Sequence, residues 1–198
     1  MRFKGMKMTE SAARGDYDLI RGYLDGRAED FDLLYERYRR PVYAYLNNLL
    51  PPAAADDLFQ QLWLKVIDKL PNYRHRDRFP AWLFRIAHNL VIDQFRREKR
   101  RGSEVALDEP EVPELAEVRG EPWRGLANEE LQRALEAALA ELQTEQREVF
   151  LLRQQEMSFR EMAALQKCSI NTALARMQYA LKNLQRKLQS WAMPGGEV

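Results

Sequence analysis

Apolar residues along the first half of this chain recur every three or four positions, which is the period of an amphipathic helix. The pattern predicts helices over 18–24, 31–50, 56–70 and 82–99. Pro51-Pro52 and Pro71 end two of them, because proline lacks a backbone donor and restrains the residue before it. No segment alternates apolar and polar residues between turns, as a hairpin strand would. The chain is therefore predicted to be all-α.

The second half of the chain shows helix-capping residues at regular intervals. Asn128 precedes a helix with a leucine stripe, and Thr144 begins the next one. Ser158 with Glu161 three residues later forms a capping-box pattern, and Ser169 caps a long final helix. A short capped helix, a tight turn and a second capped helix match the helix-turn-helix, whose second helix enters the major groove of DNA.

Residues 102–127 differ from both halves, because they are rich in Pro, Gly and acidic side chains and lack apolar periodicity. Such a composition predicts a flexible linker. The organisation expected is two small helical domains, 17–101 and 128–190, the second containing the helix-turn-helix. Short tails cover the ends, at 1–16 and 191–198.

Composition removes most other classes of function. The 198 residues include one Cys and two His, too few and too far apart for a disulfide framework or a zinc site. There is no Gly-rich phosphate loop and no nucleophile signature, so we expect no cofactor, no metal and no enzymatic activity. No apolar run reaches the ~20 residues of a membrane span, so we expect a cytoplasmic chain without membrane insertion.

Charge is distributed unevenly although the formal net charge is only +1. Residues 74–101 hold 9 basic and 3 acidic side chains, and residues 158–198 hold 6 and 2. Residues 102–128, between them, hold 2 basic and 7 acidic side chains. Two basic patches separated by an acidic stretch suggest two contacts with a polyanion.

The first basic patch mixes cationic and aromatic side chains, which suits phosphates and unstacked bases. We expect the 73–79 segment and the polar face of the next helix to contact nucleic acid. Trp82 and Phe95 are expected to pack in the core, and His75 and His88 to make polar contacts. The candidate residues are Tyr73, Arg74, Arg76, Arg78, Arg85, Asn89, Arg96 and Arg97.

The second patch lies on the helix-turn-helix, where small polar residues in the first turns allow approach to base edges and Arg176 can reach a phosphate or guanine. An ordinary helical hairpin with polar faces is the alternative. Cys168, under the turn, is expected to be a buried and inert thiol. The candidates are Arg160, Ser169, Asn171, Thr172, Arg176 and Tyr179.

The predicted helix 56–70 has an apolar stripe that includes Ile67, and a polar opposite face. Leu64 lies on that polar face, which fits either a protein-contact surface or a single exposed leucine. The residues of this face are Asp56, Asp57, Gln60, Gln61 and Leu64.

Three segments together resemble the extracytoplasmic-function (ECF) group of bacterial sigma factors. They are DDLFQQLWLKV at 56–66, RFPAWLFRIAHNLVIDQFRREKRR at 78–101 and LQTEQREVFLLRQQEMSFREMAALQKCSINTALARMQYALKNL at 142–184. The resemblance implies that the first segment binds core RNA polymerase, the second reads and melts the minus-ten promoter element, and the third reads the minus-thirty-five element. An anti-sigma factor or another regulator is a further partner that the resemblance implies.

The chain departs from the family pattern at four positions. Lys167 stands where the family usually has Gly in the turn, and Leu174, Tyr179 and Leu181 stand where it often has basic residues. A residue other than Gly at 167 either tolerates a positive φ at some cost or indicates a different turn. The changes at 174, 179 and 181 predict thinner phosphate contact, and the two leucines extend an apolar stripe that suits a protein partner. Two other classes stay open: a stand-alone helix-turn-helix regulator, which leaves 74–101 unexplained, and a helical adaptor or enzyme, which leaves both basic patches unexplained.

Overall fold

The computed structural model describes residues 14–74, 78–104 and 129–189. Within these ranges the chain forms eight α-helices and no strand, so the all-α prediction is confirmed. The helices are α1 (Asp16–Leu24), α2 (Ala28–Leu49), α3 (Pro52–Lys69), α4 (Phe79–Glu104), α5 (Glu129–Ala140), α6 (Thr144–Gln154), α7 (Phe159–Leu165) and α8 (Ile170–Lys187). A short 3-10 turn, Leu70–Asn72, follows α3.

Helices α1 to α4 form the first domain around a core of leucines and aromatic rings. Helix α3 begins at Pro52, four residues earlier than predicted, because proline at the first helical position loses no hydrogen bond. Helix α4 begins at Phe79 and reaches Glu104, so it extends into the segment that the sequence assigned to the linker. The rest of that segment and Asn128 lie outside the described residues.

A buried carboxylate ties the start of the described chain to α2. Asp30 is 1% exposed and accepts hydrogen bonds from Arg27 Nε, at 3.0 Å, and from both terminal nitrogens of Arg14. The hydrogen bond from Arg14 lowers the pKa of Asp30 more than burial raises it, and Arg27 lowers it further. The ionised carboxylate therefore holds α1 against α2.

Helices α5 to α8 form the second domain, in which the predicted caps at Ser158 and Ser169 are confirmed. Ser158 and Glu161 make a reciprocal capping box at the start of α7. Ser169 Oγ accepts from the Thr172 backbone N–H, at 3.0 Å, at the start of α8. Cys168 is partly exposed and not buried as predicted, because the turn leaves its side chain at the edge of the helix pair.

The turn between α7 and α8 places Lys167 at φ 51°, in the left-handed region that favours glycine. Lys167→Gly should therefore stabilise the chain, by about 0.5–1 kcal/mol after the added freedom of the unfolded glycine is subtracted. Urea unfolding monitored by circular dichroism measures this difference. Glu156, at φ 57°, is exposed in the turn before α7 and offers a second test of the same effect. A clear loss of stability in both glycine variants would contradict a left-handed strain at these turns.

The two domains contact each other through α2 and α6, and through α4 and α7. Arg147 of α6 donates to the Asn48 carbonyl oxygen near the end of α2, at 2.7 Å. Its other terminal nitrogen donates to Ala140 and Leu142 carbonyl oxygens of its own domain, at 2.5 and 3.1 Å. One guanidinium therefore fixes the α5–α6 turn against the first domain.

Candidate functional site

Helix α3 presents a mixed polar and apolar surface to solvent. All five residues predicted for this face are exposed: Asp56, Asp57, Gln60, Gln61 and Leu64, which we call the α3 surface. Leu64 is 68% exposed, the highest value among the large exposed apolar side chains of the described residues. Ile67, one turn further, is 40% exposed and not part of the core as predicted, so it extends the apolar area beside Leu64.

Aromatic rings hold the α3 surface from behind. Trp63 is buried and its ring centroid lies 4.8 Å from that of Tyr35 in an edge contact. Phe59 packs edge-on against Tyr43, at 5.5 Å, and the Tyr43 hydroxyl donates to Asp56 at 2.8 Å. Packed aromatic side chains keep few rotamers, so the surface is presented on a rigid helix.

Helix α4 presents a basic stripe on the side away from its buried face. Four of the predicted nucleic-acid residues lie there, all exposed: Arg85, Asn89, Arg96 and Arg97, which we call the α4 surface. Spacings of four, seven and eight residues place them on one side of the helix. Asp93 lies among them and pairs with Arg96 at 3.3 Å. The stripe offers charge for phosphates and an amide for base edges.

The segment before α4 is more deeply packed than the sequence suggested. Phe79 is fully buried, with Tyr38, Tyr73 and Trp82 around it at centroid distances of 5.3, 5.8 and 5.5 Å. Phe79 therefore cannot stack on a base, because its ring is enclosed by the core; Tyr73 is half-buried in the same cluster.

Two arginines of this segment, Arg74 and Arg78, are exposed. Arg76 lies outside the described residues, as does His75. Arg78 forms an ion pair with Glu156 of the second domain at 3.6 Å and also donates to the Glu156 carbonyl oxygen. One predicted minus-ten residue is therefore engaged by the other domain.

Helix α8 carries the predicted reading residues of the second domain. Ser169, Asn171, Thr172 and Tyr179 are exposed, and so is Arg160 on α7. Ser169 and Thr172 hydroxyls lie 2.8 Å apart within the cap of the helix. Asn171 stands beside them in the first turn, at the end of the helix that enters the groove in helix-turn-helix proteins.

Arg176 is oriented differently from its predicted position. It is half-buried and donates to Gln166 Oε1 at 2.7 Å, with Cys168 Sγ at 3.6 Å. The side chain lies along the turn because Gln166 Oε1 is within hydrogen-bonding distance of the Arg176 guanidinium. One terminal nitrogen of Arg176 is therefore engaged within the turn.

A buried cluster between the domains is absent from the sequence predictions. Glu148 of α6 is 5% exposed and bonds to Tyr45 and His88 of the first domain and Gln166 of the second. Burial alone would raise the pKa of Glu148, but the hydrogen bonds from His88, Tyr45 and Gln166 outweigh it, and the pKa is lowered. The sequence feature that could have indicated this cluster is Glu148 itself, a charged residue directly before the apolar run 149–152.

Among the described residues, no group of His, Cys, Asp and Glu side chains is arranged to hold a metal ion. None of the helices in the described ranges combines the length and apolar character needed to cross a membrane. What the described surfaces offer is binding: one polar–apolar face on α3 and one DNA-suited face in each domain.

Two family models match the chain in order. Sigma-70 region 2 matches residues 34–101, and Sigma-70 region 4 matches residues 132–184. These ranges contain the α3 and α4 surfaces and the helix-turn-helix. The two domains are those of a sigma-70-type transcription initiation factor, a family that is not enzymatic.

Curated relatives and solved structures agree with this class. The chain is 27% identical over 181 residues to the ECF RNA polymerase sigma-E factor of Escherichia coli K12, covering 88% of this chain and 94% of the relative. It is 25% identical over 182 residues to the RNA polymerase sigma-H factor of Pseudomonas aeruginosa, with the same coverage, 88% and 94%.

Two solved complexes show a similar fold. The sigma factor RpoE bound to the anti-sigma factor NepR, from Bartonella quintana, matches with a TM-score of 0.61 and 24% identity, over 82% of this chain and 98% of that one. CnrH in complex with the cytosolic domain of CnrY matches with a TM-score of 0.57 and 26% identity, over 88% and 97%. The chain belongs to the ECF group of the sigma-70 family.

Proposed function

We propose that this chain binds core RNA polymerase, directs it to specific promoters and helps to melt the minus-ten region, acting in the cytoplasm. The observation that carries the proposal is the pairing of the α3 surface with the α4 surface in one domain, followed by a helix-turn-helix in the next. A stand-alone regulator has no need for the first two surfaces.

Each surface has a distinct role in this proposal. The α3 surface docks on core polymerase, with Leu64 as its apolar centre. The α4 surface, together with Tyr73, Arg74, Arg76 and Arg78, holds the unpaired minus-ten strand. Extruding a base costs a few kcal/mol, which binding of that base offsets. The Ser169 end of α8 enters the upstream major groove.

A regulatory partner is also part of the proposal. Leu174, Tyr179 and Leu181 are 36%, 61% and 47% exposed on α8, at positions where the family often has basic residues. Leu174 and Leu181 are seven residues apart and form an apolar stripe on one side of this reading helix, which suits a protein better than it suits phosphates. We therefore propose that an anti-sigma factor covers this side of α8. The complex of CnrH with the cytosolic domain of CnrY supports such a partner.

The proposed function is tested by run-off transcription with purified core polymerase and a library of promoter fragments. Core polymerase should initiate at discrete sites only when the chain is added. The chain alone should bind duplex DNA weakly at physiological salt, because a net charge of +1 split over two patches neutralises few phosphates at once. A filter-binding titration of the same fragments measures that second quantity.

The opposite pair of results identifies the alternative class. Tight, sequence-specific duplex binding by the chain alone, without any stimulation of core polymerase, is the behaviour of a stand-alone helix-turn-helix regulator. Core polymerase with an unrelated sigma factor serves as the positive control for the transcription assay.

A further inference from the structure

The two domains are joined by a buried carboxylate with partners on both sides. Glu148 Oε1 accepts from the Tyr45 hydroxyl at 2.5 Å and lies 2.7 Å from His88 Nδ1, both in the first domain. Its other oxygen accepts from Gln166 Nε2 of its own domain at 2.8 Å. Three hydrogen bonds satisfy a carboxylate that is 5% exposed. Two of those three bonds cross between the domains.

The same cluster reaches the DNA-facing residues of both domains. His88 precedes Asn89 of the α4 surface, and Gln166 accepts from Arg176 on the reading helix at 2.7 Å. Arg78, another predicted minus-ten residue, pairs with Glu156 of the second domain. The interdomain contact therefore occupies Arg78, and through Gln166 it is linked to Arg176, two residues that the proposed function assigns to promoter DNA.

The two DNA surfaces also share one cleft in this arrangement. Its volume is about 740 Å³, and Asn89, Arg96, Gln166 and Arg176 are among the residues that line it.

Promoter geometry requires a wider separation. The minus-ten and minus-thirty-five elements are about 25 base pairs apart, which is roughly 85 Å at 3.4 Å per base pair. Surfaces that line one cleft cannot contact both elements together. The arrangement in this structure is therefore a closed state that must open before the chain reads a promoter.

We propose that Glu148, with Tyr45 and His88, forms a latch that holds the chain closed and so regulates the DNA-binding surfaces of the proposed function. The latch is polar, so water replaces each bond when the domains part, and opening leaves no buried group without a partner. A purely apolar contact of the same size would resist opening, since separation would expose its whole area to water.

The proposal rests on the proposed function, but its test uses neither polymerase nor DNA. In the full chain with Cys168→Ser, spin labels are placed at the exposed positions of Lys69→Cys and Lys182→Cys, one in each domain. Pulsed electron paramagnetic resonance then gives the distribution of distances between domains. The labelled chain with Tyr45, His88 and Glu148 intact should give a single narrow distribution of short distances between the two spin labels.

Tyr45→Phe removes only the hydroxyl, and the edge contact of its ring with Phe84, at 5.3 Å, remains. We expect a longer, broader distance population, with the ratio of open to closed chains raised about tenfold or more, the effect of losing one hydrogen bond to a charged group. Glu148→Gln should act in the same direction, because its neutral amide binds His88 and Tyr45 less strongly.

Tyr43→Phe is the matched control. It removes the same atom from the same helix, but the Tyr43 hydroxyl donates to Asp56 within the first domain, at 2.8 Å. Its distance distribution should equal that of the unsubstituted chain. Circular dichroism of all variants verifies that helix content is unchanged.

The proposal is contradicted if Tyr45→Phe and Glu148→Gln retain the narrow distribution of short distances between the labels. It is also contradicted if Tyr43→Phe opens the chain as much as they do. A chain that is already open without substitution overturns it as well. Run-off transcription separates the two proposals: failure of every protein to stimulate core polymerase rejects the proposed function and leaves the distance result standing.

Discussion

Leu64→Ala should weaken binding to core RNA polymerase by about tenfold to thirtyfold, corresponding to roughly 1.4–2 kcal/mol. Leu64 is 68% exposed and is the one apolar residue of the α3 surface, so its burial against a partner is lost on truncation. The stability of the isolated chain should stay within about 0.5 kcal/mol, because the side chain makes little contact within the fold. Fluorescence anisotropy of labelled chain with core polymerase measures the affinity.

Leu24→Ala is the control for that experiment. Leu24 is 46% exposed at the end of α1, outside the α3 surface, so its truncation removes a similar apolar area elsewhere. It should leave the affinity for core polymerase unchanged. Equal loss in the two variants, or no loss in Leu64→Ala, would reject the α3 surface as the docking site.

Local features of the fold could be predicted from the sequence because their causes are local. Ser158, Glu161 and Ser169 cap their helices through bonds to backbone three residues away, and any helix beginning there would make them. The positive φ of Lys167 follows from the same local logic, since the turn needs a left-handed residue between two capped helices.

Tertiary contacts could not be predicted from the sequence, because they depend on residues of other helices. Phe79 stands in a segment of charged residues, and only the packing of α2 against α4 encloses its ring. Arg176 has the helical position of an exposed residue, but the turn brings Gln166 within reach of it. Ile67 fits the apolar period of α3, but it lies at the edge of the stripe on the side of Leu64, so it stays 40% exposed although Val66 and Leu70 are fully buried.

The exposure of the α3 and α4 residues could be predicted because helical periodicity alone decides which face is left outside the core. The α3 and α4 surfaces lie opposite buried stripes within single helices, so no knowledge of neighbouring elements was needed. The Glu148 cluster depends on contacts across 103 and 60 residues of sequence, to Tyr45 and His88. No pattern within one helix encodes such a pair.

Asn89→Ala and Asn171→Ala should impair initiation at different steps. Both side chains are exposed, one on the α4 surface and one at the start of α8, and both lose the same amide. Each lost base contact should cost about 1–3 kcal/mol. Asn171→Ala should weaken formation of the closed promoter complex, whereas Asn89→Ala should leave it intact and slow strand opening. Complex formation is measured by footprinting and opening by permanganate reactivity of unpaired thymines.

A template already mismatched across the minus-ten region distinguishes the two roles, because it removes the cost of opening in advance. Transcription by the Asn89→Ala chain should recover at least partly on this template. Transcription by the Asn171→Ala chain should stay low when upstream recognition limits the rate, because the mismatch does not touch the minus-thirty-five duplex. An identical response of both variants to the mismatched template would contradict separate roles for the two domains. Recovery confined to Asn171→Ala would reverse the assignment of melting and duplex reading.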